Sequence, residues 1–267
     1  MMMMEEGNQE PVRCERDGAA ARVVIDREAR HNMLDLATIG SLTRIFSELK
    51  DDPEIRVVIL TGAGDRFFSE GADLEELSGL APEAVASYVE AGQARAGLIE
   101  DLGKPVIGAI NGPAAGSGCE LALACTWRIA VQQARLEQPE ARLGLMPAWG
   151  AIRRLSRTIG KARTMELILT GEPLGADDAL ALGLFNRVVA GRAELDAACD
   201  ELAGRLALNA PLAVRYALEA LNHGIEMPLS EGLRLESALF GLCFATEDVK
   251  EGTRAFLEKR PPIFKGR

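Results

Sequence analysis

Short β-rich runs alternating with amphipathic stretches constrain the fold of this chain more than any other feature. Apolar, β-branched runs occupy residues 22–26, 56–61, 106–110 and 127–131, with a weaker one at 186–189. Between the first two, 35–51 carries Leu36, Ile39, Leu42, Ile45, Phe46 and Leu49, close to the i, i+3, i+4 stripe of a half-buried helix. Residues 82–102 and 120–125 read in the same way. Strands separated by helices predict an α/β core with many parallel pairings. From Arg192 onward the pattern is helical almost throughout, with turns at Asn209 to Pro211 and at His223 and Gly224, and a further helix over 229–245. No linker rich in Pro, Gly or Ser separates the two parts, so the helical part is expected to pack closely. The expected organisation is a disordered terminus at 1–15, a core at 16–195 and a C-terminal helical region at 196–267.

Composition narrows the function classes. The 267 residues suffice for one large domain, and a 48% hydrophobic content supplies its core. A net charge of −10 argues against nucleic-acid binding through a general basic surface, although a local cluster of cations can still hold an anionic ligand. Cys14, Cys119, Cys125, Cys199 and Cys243 are odd in number, scattered and without CxxC spacing, which reads as reduced thiols in a cytoplasmic protein. No run of eighteen apolar residues predicts a membrane span, and residues 1–10 lack the apolar core of an export signal. His31 and His223 show no metal-ligand spacing, so no metal is expected.

Two glutamates carry the chemistry. Glu120 follows the Gly-rich stretch Asn111-Gly-Pro-Ala-Ala-Gly-Ser-Gly-Cys and opens an apolar helical pattern, and Glu140 lies in Gln138-Pro-Glu140 ahead of Gly144. A Gly-rich loop running into a helix leaves backbone N–H groups unpaired and favours negative charge beside it. Two carboxylates next to such donors are the parts for proton transfer beside a stabilised oxyanion. Either glutamate alone could be a helix-start residue favoured by the dipole, worth roughly 0.3–1 kcal/mol.

With these residues the chain, from about Arg22 to Arg267, resembles the crotonase superfamily and within it the enoyl-CoA hydratases. The resemblance rests on Val57-Val-Ile-Leu-Thr-Gly62, Phe68-Ser-Glu-Gly-Ala-Asp73-Leu, Gly116-Ser-Gly-Cys-Glu120-Leu, Gln138-Pro-Glu140, Met146-Pro147, Leu169-Thr-Gly171 and Phe256-Leu-Glu-Lys-Arg260, in order and at the right spacing. It implies a spiral of ββα turns with a C-terminal helical trimerisation region, and a homo-oligomer, trimer or hexamer. The implied reaction adds water across the C2=C3 bond of a 2-enoyl-CoA, with the coenzyme A thioester as substrate and no tightly bound cofactor. The backbone N–H groups of Ala72 and Ser117 are the implied oxyanion donors, with Glu120 activating the water and Glu140 delivering a proton to C2. Implied substrate contacts are Arg27, Arg30 and Asn32 near the pantetheine and phosphates, and Ala72, Asp73 and Leu74 at the adenine. Gly116 and Trp149 belong to the same expected site, and Phe256 and Lys259 are expected to reach a neighbouring subunit's ligand.

Other motifs fail. Gly62-Ala-Gly64 follows a strand, but Phe67 stands where a dinucleotide fingerprint needs its third glycine. Gly116-Ser117-Gly118 lacks the GxSxG spacing of a nucleophile elbow. Where many relatives carry a run of glycines, this chain reads Pro147-Ala-Trp149-Gly-Ala-Ile-Arg153, which leaves either a surface substitution or a reshaped acyl pocket. Isomerisation, a specialised dehydration, hydration of a branched or cyclic acyl-CoA, and a non-catalytic scaffold of the same fold stay open at this point.

Overall fold

The computed structural model describes residues 10–267. Its main sheet has six strands: β1 (Val12–Asp17), β2 (Ala20–Ile25), β3 (Val57–Gly62), β4 (Val106–Ile110), β6 (Trp127–Val131) and β9 (Arg187–Val189), hydrogen-bonded in that order. β1 and β2 form an antiparallel hairpin, and every later pairing is parallel. β3 and β4 are buried at every position, as central parallel strands covered on both faces must be.

A second layer of very short strands arises within the crossovers. β5 (Ala114–Ala115) pairs in parallel with β7 (Arg135–Glu137), which pairs antiparallel with β8 (Leu174–Gly175). Isolated bridges join Leu34 to Ala72 and Ser69 to Ala114. Successive crossovers therefore visit the second layer side by side, which is the spiral of ββα turns that the resemblance implies.

Helices α1 (Leu36–Asp51), α2 (Leu74–Ser78), α3 (Pro82–Glu100), α4 (Ser117–Ala124), α5 (Ala151–Thr170, broken at Gly160) and α6 (Ala176–Ala181) complete the turns. Asp35 caps α1 by accepting from the Thr38 N–H, and its buried stripe is Ile39, Leu42, Ile45, Phe46 and Leu49. These match the apolar periodicity of the sequence.

Two boundaries differ from expectation. Of the terminus expected to be disordered, residues 1–9 lie outside the described residues, but Val12 is already a buried strand residue of β1. The expected division at 195/196 cuts through α7 (Arg192–Ala207), whose Leu195, Ala198, Cys199 and Ala203 are buried against β2, β3, β4 and β6. This helix is a wall of the core. The departure comes after it, with α8 (Pro211–Gly224), α9 (Leu229–Phe244) and α10 (Glu247–Glu258).

Candidate active site

The second layer brings two backbone segments face to face. Leu34 N–H donates to Gly71 O at 2.7 Å and Asp73 N–H donates to Leu34 O at 3.2 Å. In a parallel bridge of this kind the intervening Ala72 N–H points away from Leu34, and among the described residues it has no acceptor. Opposite it, Ser117 is the first residue of α4, whose initial N–H groups have no intrahelical partner. A Cβ added at Gly71 (φ 89°) would lie 3.1 Å from Ser117 N, which measures how closely the segments approach. Ser69 ties them together: its Oγ accepts from Gly71 N–H at 3.1 Å, and its carbonyl lies 2.5 Å from where a Cβ on Gly118 would be.

Both glutamates line the same cavity of about 390 Å3. Glu120, in the first turn of α4, is buried, and its Oε1 accepts from Trp149 N–H (2.7 Å) and Ala151 N–H (2.9 Å) at the start of α5. Gly150 makes this turn with φ 114°. Burial pushes the Glu120 carboxyl up to about 7; the two N–H donors work against that rise and the Glu140 charge adds to it. Glu140 begins a 3-10 turn (Glu140–Leu143), and burial raises its carboxyl as well. Gly116 (φ 50°) precedes α4 because a Cβ there would stand 3.1 Å from Glu140 Oε1.

The remaining expected contacts divide. Arg30, Asp73, Leu74, Gly116 and Trp149 line the cavity. Arg30 pairs with Asp73 at 3.0 Å, and Asp73 also caps α2. Arg27 and Asn32 do not line it. Arg27 is occupied by Asp35 (2.6 Å) and Met33 O (2.8 Å), and Asn32 is fully buried, donating to Ala63 O and Phe67 O. Both brace the loop under Arg30 and, in this chain, do not border the cavity. Phe256 and Lys259 sit at the far end of α10 and are absent from this chain's own cavity.

Two residues at the site were not among the expected site residues. Tyr88 of α3 lines the cavity, its ring 5.7 Å from that of Trp149. Gln138 is fully buried, and in the amide orientation that satisfies its neighbours its Nε2 donates to both Glu140 oxygens at 3.1 Å. Its place two residues before Glu140 was the one clue available. Among the described residues no cluster of His, Cys, Asp and Glu could hold a metal ion, and no helix is long and apolar enough to cross a membrane.

A spiral of ββα turns enclosing two carboxylates and two opposed free N–H groups defines a site for acid–base chemistry beside a developing anion. The chain belongs to the enoyl-CoA hydratase/isomerase family, whose model matches residues 15–267. The short-chain-enoyl-CoA hydratase of Clostridium acetobutylicum is 40% identical over 246 residues, covering 92% of this chain and 94% of that protein. The carnitinyl-CoA dehydratase of Citrobacter koseri is 40% identical over 257 residues, covering 94% and 97%. The crystal structure of the enoyl-CoA hydratase from Bacillus anthracis superposes with a TM-score of 0.93 at 39% identity, covering 96% of this chain and all of that one.

Proposed function

We propose that the protein is an enoyl-CoA hydratase that adds water across the C2=C3 bond of a 2-enoyl-CoA. The carrying observation is one cavity that holds Glu120, Glu140 and the unpaired N–H groups of Ala72 and Ser117. The thioester oxygen lies between the two N–H groups. Water oxygen attacks C3 and gives its proton to Glu120, while the π electrons move onto the thioester oxygen as an enolate. Glu140, protonated at the start, then delivers its proton to C2 as the carbonyl re-forms. One proton must pass from Glu120 to Glu140, directly or through solvent, to reset the pair.

The division of labour is the one the resemblance implies, and the hydrogen bonds of Glu120 fit it. Glu120 has one oxygen fixed by two N–H donors, which orient the carboxylate as an acceptor and leave Oε2 for the water. The backbone donors together act like an oxyanion hole, where losing one costs on the order of 3 kcal/mol of barrier. Arg30 lies at the cavity as the cation for a coenzyme A phosphate. Coenzyme A enters as substrate, and no tightly held cofactor is needed for these steps.

The working form is a homo-oligomer, trimer or hexamer, in the cytoplasm. Its support is the exposed apolar surface of α8–α10, including Leu221, Leu229, Phe240 and Phe244, and five free cysteines. The test of the activity is the ultraviolet absorbance of the conjugated enoyl thioester, which disappears on hydration of crotonyl-CoA. Unchanged absorbance across a panel of 2-enoyl-CoAs would refute the reading.

A further inference from the structure

The distinctive residue of this site is Trp149, in the segment Pro147 to Arg153 where the sequence departs from the resemblance. Although it is only 3% exposed, its indole lines the active-site cavity on one side and a second void of about 10 Å3 on the other. That inner void lies between α1 and α3, walled mainly by Ile39, Leu42, Phe46 and Leu121 and also by the hydrogen-bonded Thr43 and Arg95. The indole is therefore the partition between the acyl end of the cavity and the apolar interior of the fold.

Its position is anchored on three sides. Trp149 N–H is spent on Glu120, and Trp149 O accepts from Arg154 Nη1 at 3.0 Å. The preceding carbonyl, Ala148 O, accepts from Gln93 Nε2 at 2.8 Å, which pins the loop to α3. The indole itself lies against Gly92 of the same helix, where a Cβ would come within 2.0 Å of Nε1. A closely fitted partition of this kind cannot swing aside for a long chain without a loss of packing.

We infer that Trp149 is the chain-length gate of the acyl subsite, restricting the enzyme to short 2-enoyl-CoA substrates, with Gly92 as the notch that lets the indole lie flat. This rests on the acyl-CoA reading given above. Trp149→Ala opens the cavity into the inner void, and the mostly apolar space gained there accepts hydrocarbon. Gly92→Ala acts oppositely by driving the indole into the acyl subsite.

The experiment compares crotonyl-CoA with trans-2-octenoyl-CoA by kcat/KM, and butyryl-CoA with octanoyl-CoA by calorimetric Kd. The two saturated thioesters cannot be hydrated, so they report binding alone. The wild type should favour the short member of each pair. Trp149→Ala and the milder Trp149→Leu should raise the octenoyl-to-crotonyl ratio at least about tenfold, the scale for a few methylenes in an apolar pocket. Gly92→Ala should lower that ratio in the wild type and leave it unchanged in the Trp149→Leu background, where no indole remains to be struck. An unaltered ratio in variants that keep wild-type mass and circular dichroism would overturn the inference, as would a wild type indifferent to chain length. Should neither tryptophan variant fold, an unaltered ratio in Gly92→Ala alone overturns it. If no thioester is hydrated, the activity reading fails separately, while the two saturated ligands still test the gate.

Discussion

The cavity region and the α8–α10 region treat similar side chains in opposite ways. In the first, apolar groups such as Phe46, Phe68, Ile107 and Leu121 are fully buried by their own chain. Several polar groups at the cavity are held by named partners: Glu120 by two N–H groups, Glu140 by Gln138, Asp73 by Arg30. In the second, α8 and α9 pack on each other, yet Leu229 is 80% exposed, Phe240 67% and Phe256 83%. The first region is covered by its own chain, whereas the second presents exposed apolar side chains of the kind that partner surfaces cover. Chemistry should therefore depend on the first and assembly on the second, and each can be disturbed separately.

The largest expected effect is on the carboxylates. Glu120→Gln and Glu140→Gln should each lower hydration of crotonyl-CoA by at least ~10²-fold while the mass in solution is unchanged. The double variant should be little worse than either single one, because in the proposed mechanism the two act on one water. Near-normal turnover in either would remove that residue from the mechanism. Because burial pushes Glu120 up to about 7, the wild-type kcat/KM should rise with pH through that value as the carboxylate proposed to activate water ionises. A profile that only falls through neutral pH would reverse the two roles.

Ser117 offers a cleaner separation of backbone from side chain. Proline is tolerated at a first helical position but has no N–H, so Ser117→Pro should keep the fold and lose on the order of 10²–10³ in kcat. The Ser117 hydroxyl is buried with no partner. Ser117→Ala removes an unsatisfied group and should keep activity within about tenfold, with equal or higher stability. An alanine variant as inactive as the proline one would assign the chemistry to the hydroxyl.

For assembly, light scattering coupled to size exclusion should give a multiple of the 28.6 kDa chain mass at micromolar concentration. Phe240→Asp or Leu229→Asp should shift that mass downward or cause aggregation. A wild type already at one chain mass would break the comparison, since the exposed face would then need no partner copy.

How much of this was legible depended on whether the signal was local. β3 and β4 could be read because a central parallel strand is apolar along its whole length, and α1 because its stripe repeats every three to four residues. The two-residue strand β5 and the three-residue β7 carry no such period, so the second layer was accessible only through resemblance. α7 shows why the division at 195/196 failed: Leu195, Ala198, Cys199 and Ala203 form an ordinary apolar face, and periodicity cannot say whether a sheet or another helix will cover it. In the site, Glu120 and Glu140 stood inside contiguous motifs. Arg27 and Asn32 stood in a motif too, but their partners, Asp35 and the carbonyls of Ala63 and Phe67, depend on a tertiary fold. Tyr88 reaches the cavity from a helix with no motif at all.

The smallest effect probes the cost of building the cavity. A carboxyl whose folded value is raised from 4.5 to about 7 favours folding only in its protonated form. The folded chain then binds more protons than the unfolded one across that interval. Stability from this group is full below the lower value and is lost as pH rises through about 7, the reverse of an ordinary paired carboxylate. Glu120→Gln keeps an oxygen to accept from Trp149 and Ala151 N–H but carries no charge. Its Tm should therefore match the wild type near pH 4 and exceed it by a few degrees, on the order of 2–4 °C per kcal/mol, at pH 8. If Glu120→Gln instead lowered Tm at pH 8, the ionised carboxylate would be a net stabiliser of the α5 start, and its buried charge would no longer be a cost borne for catalysis.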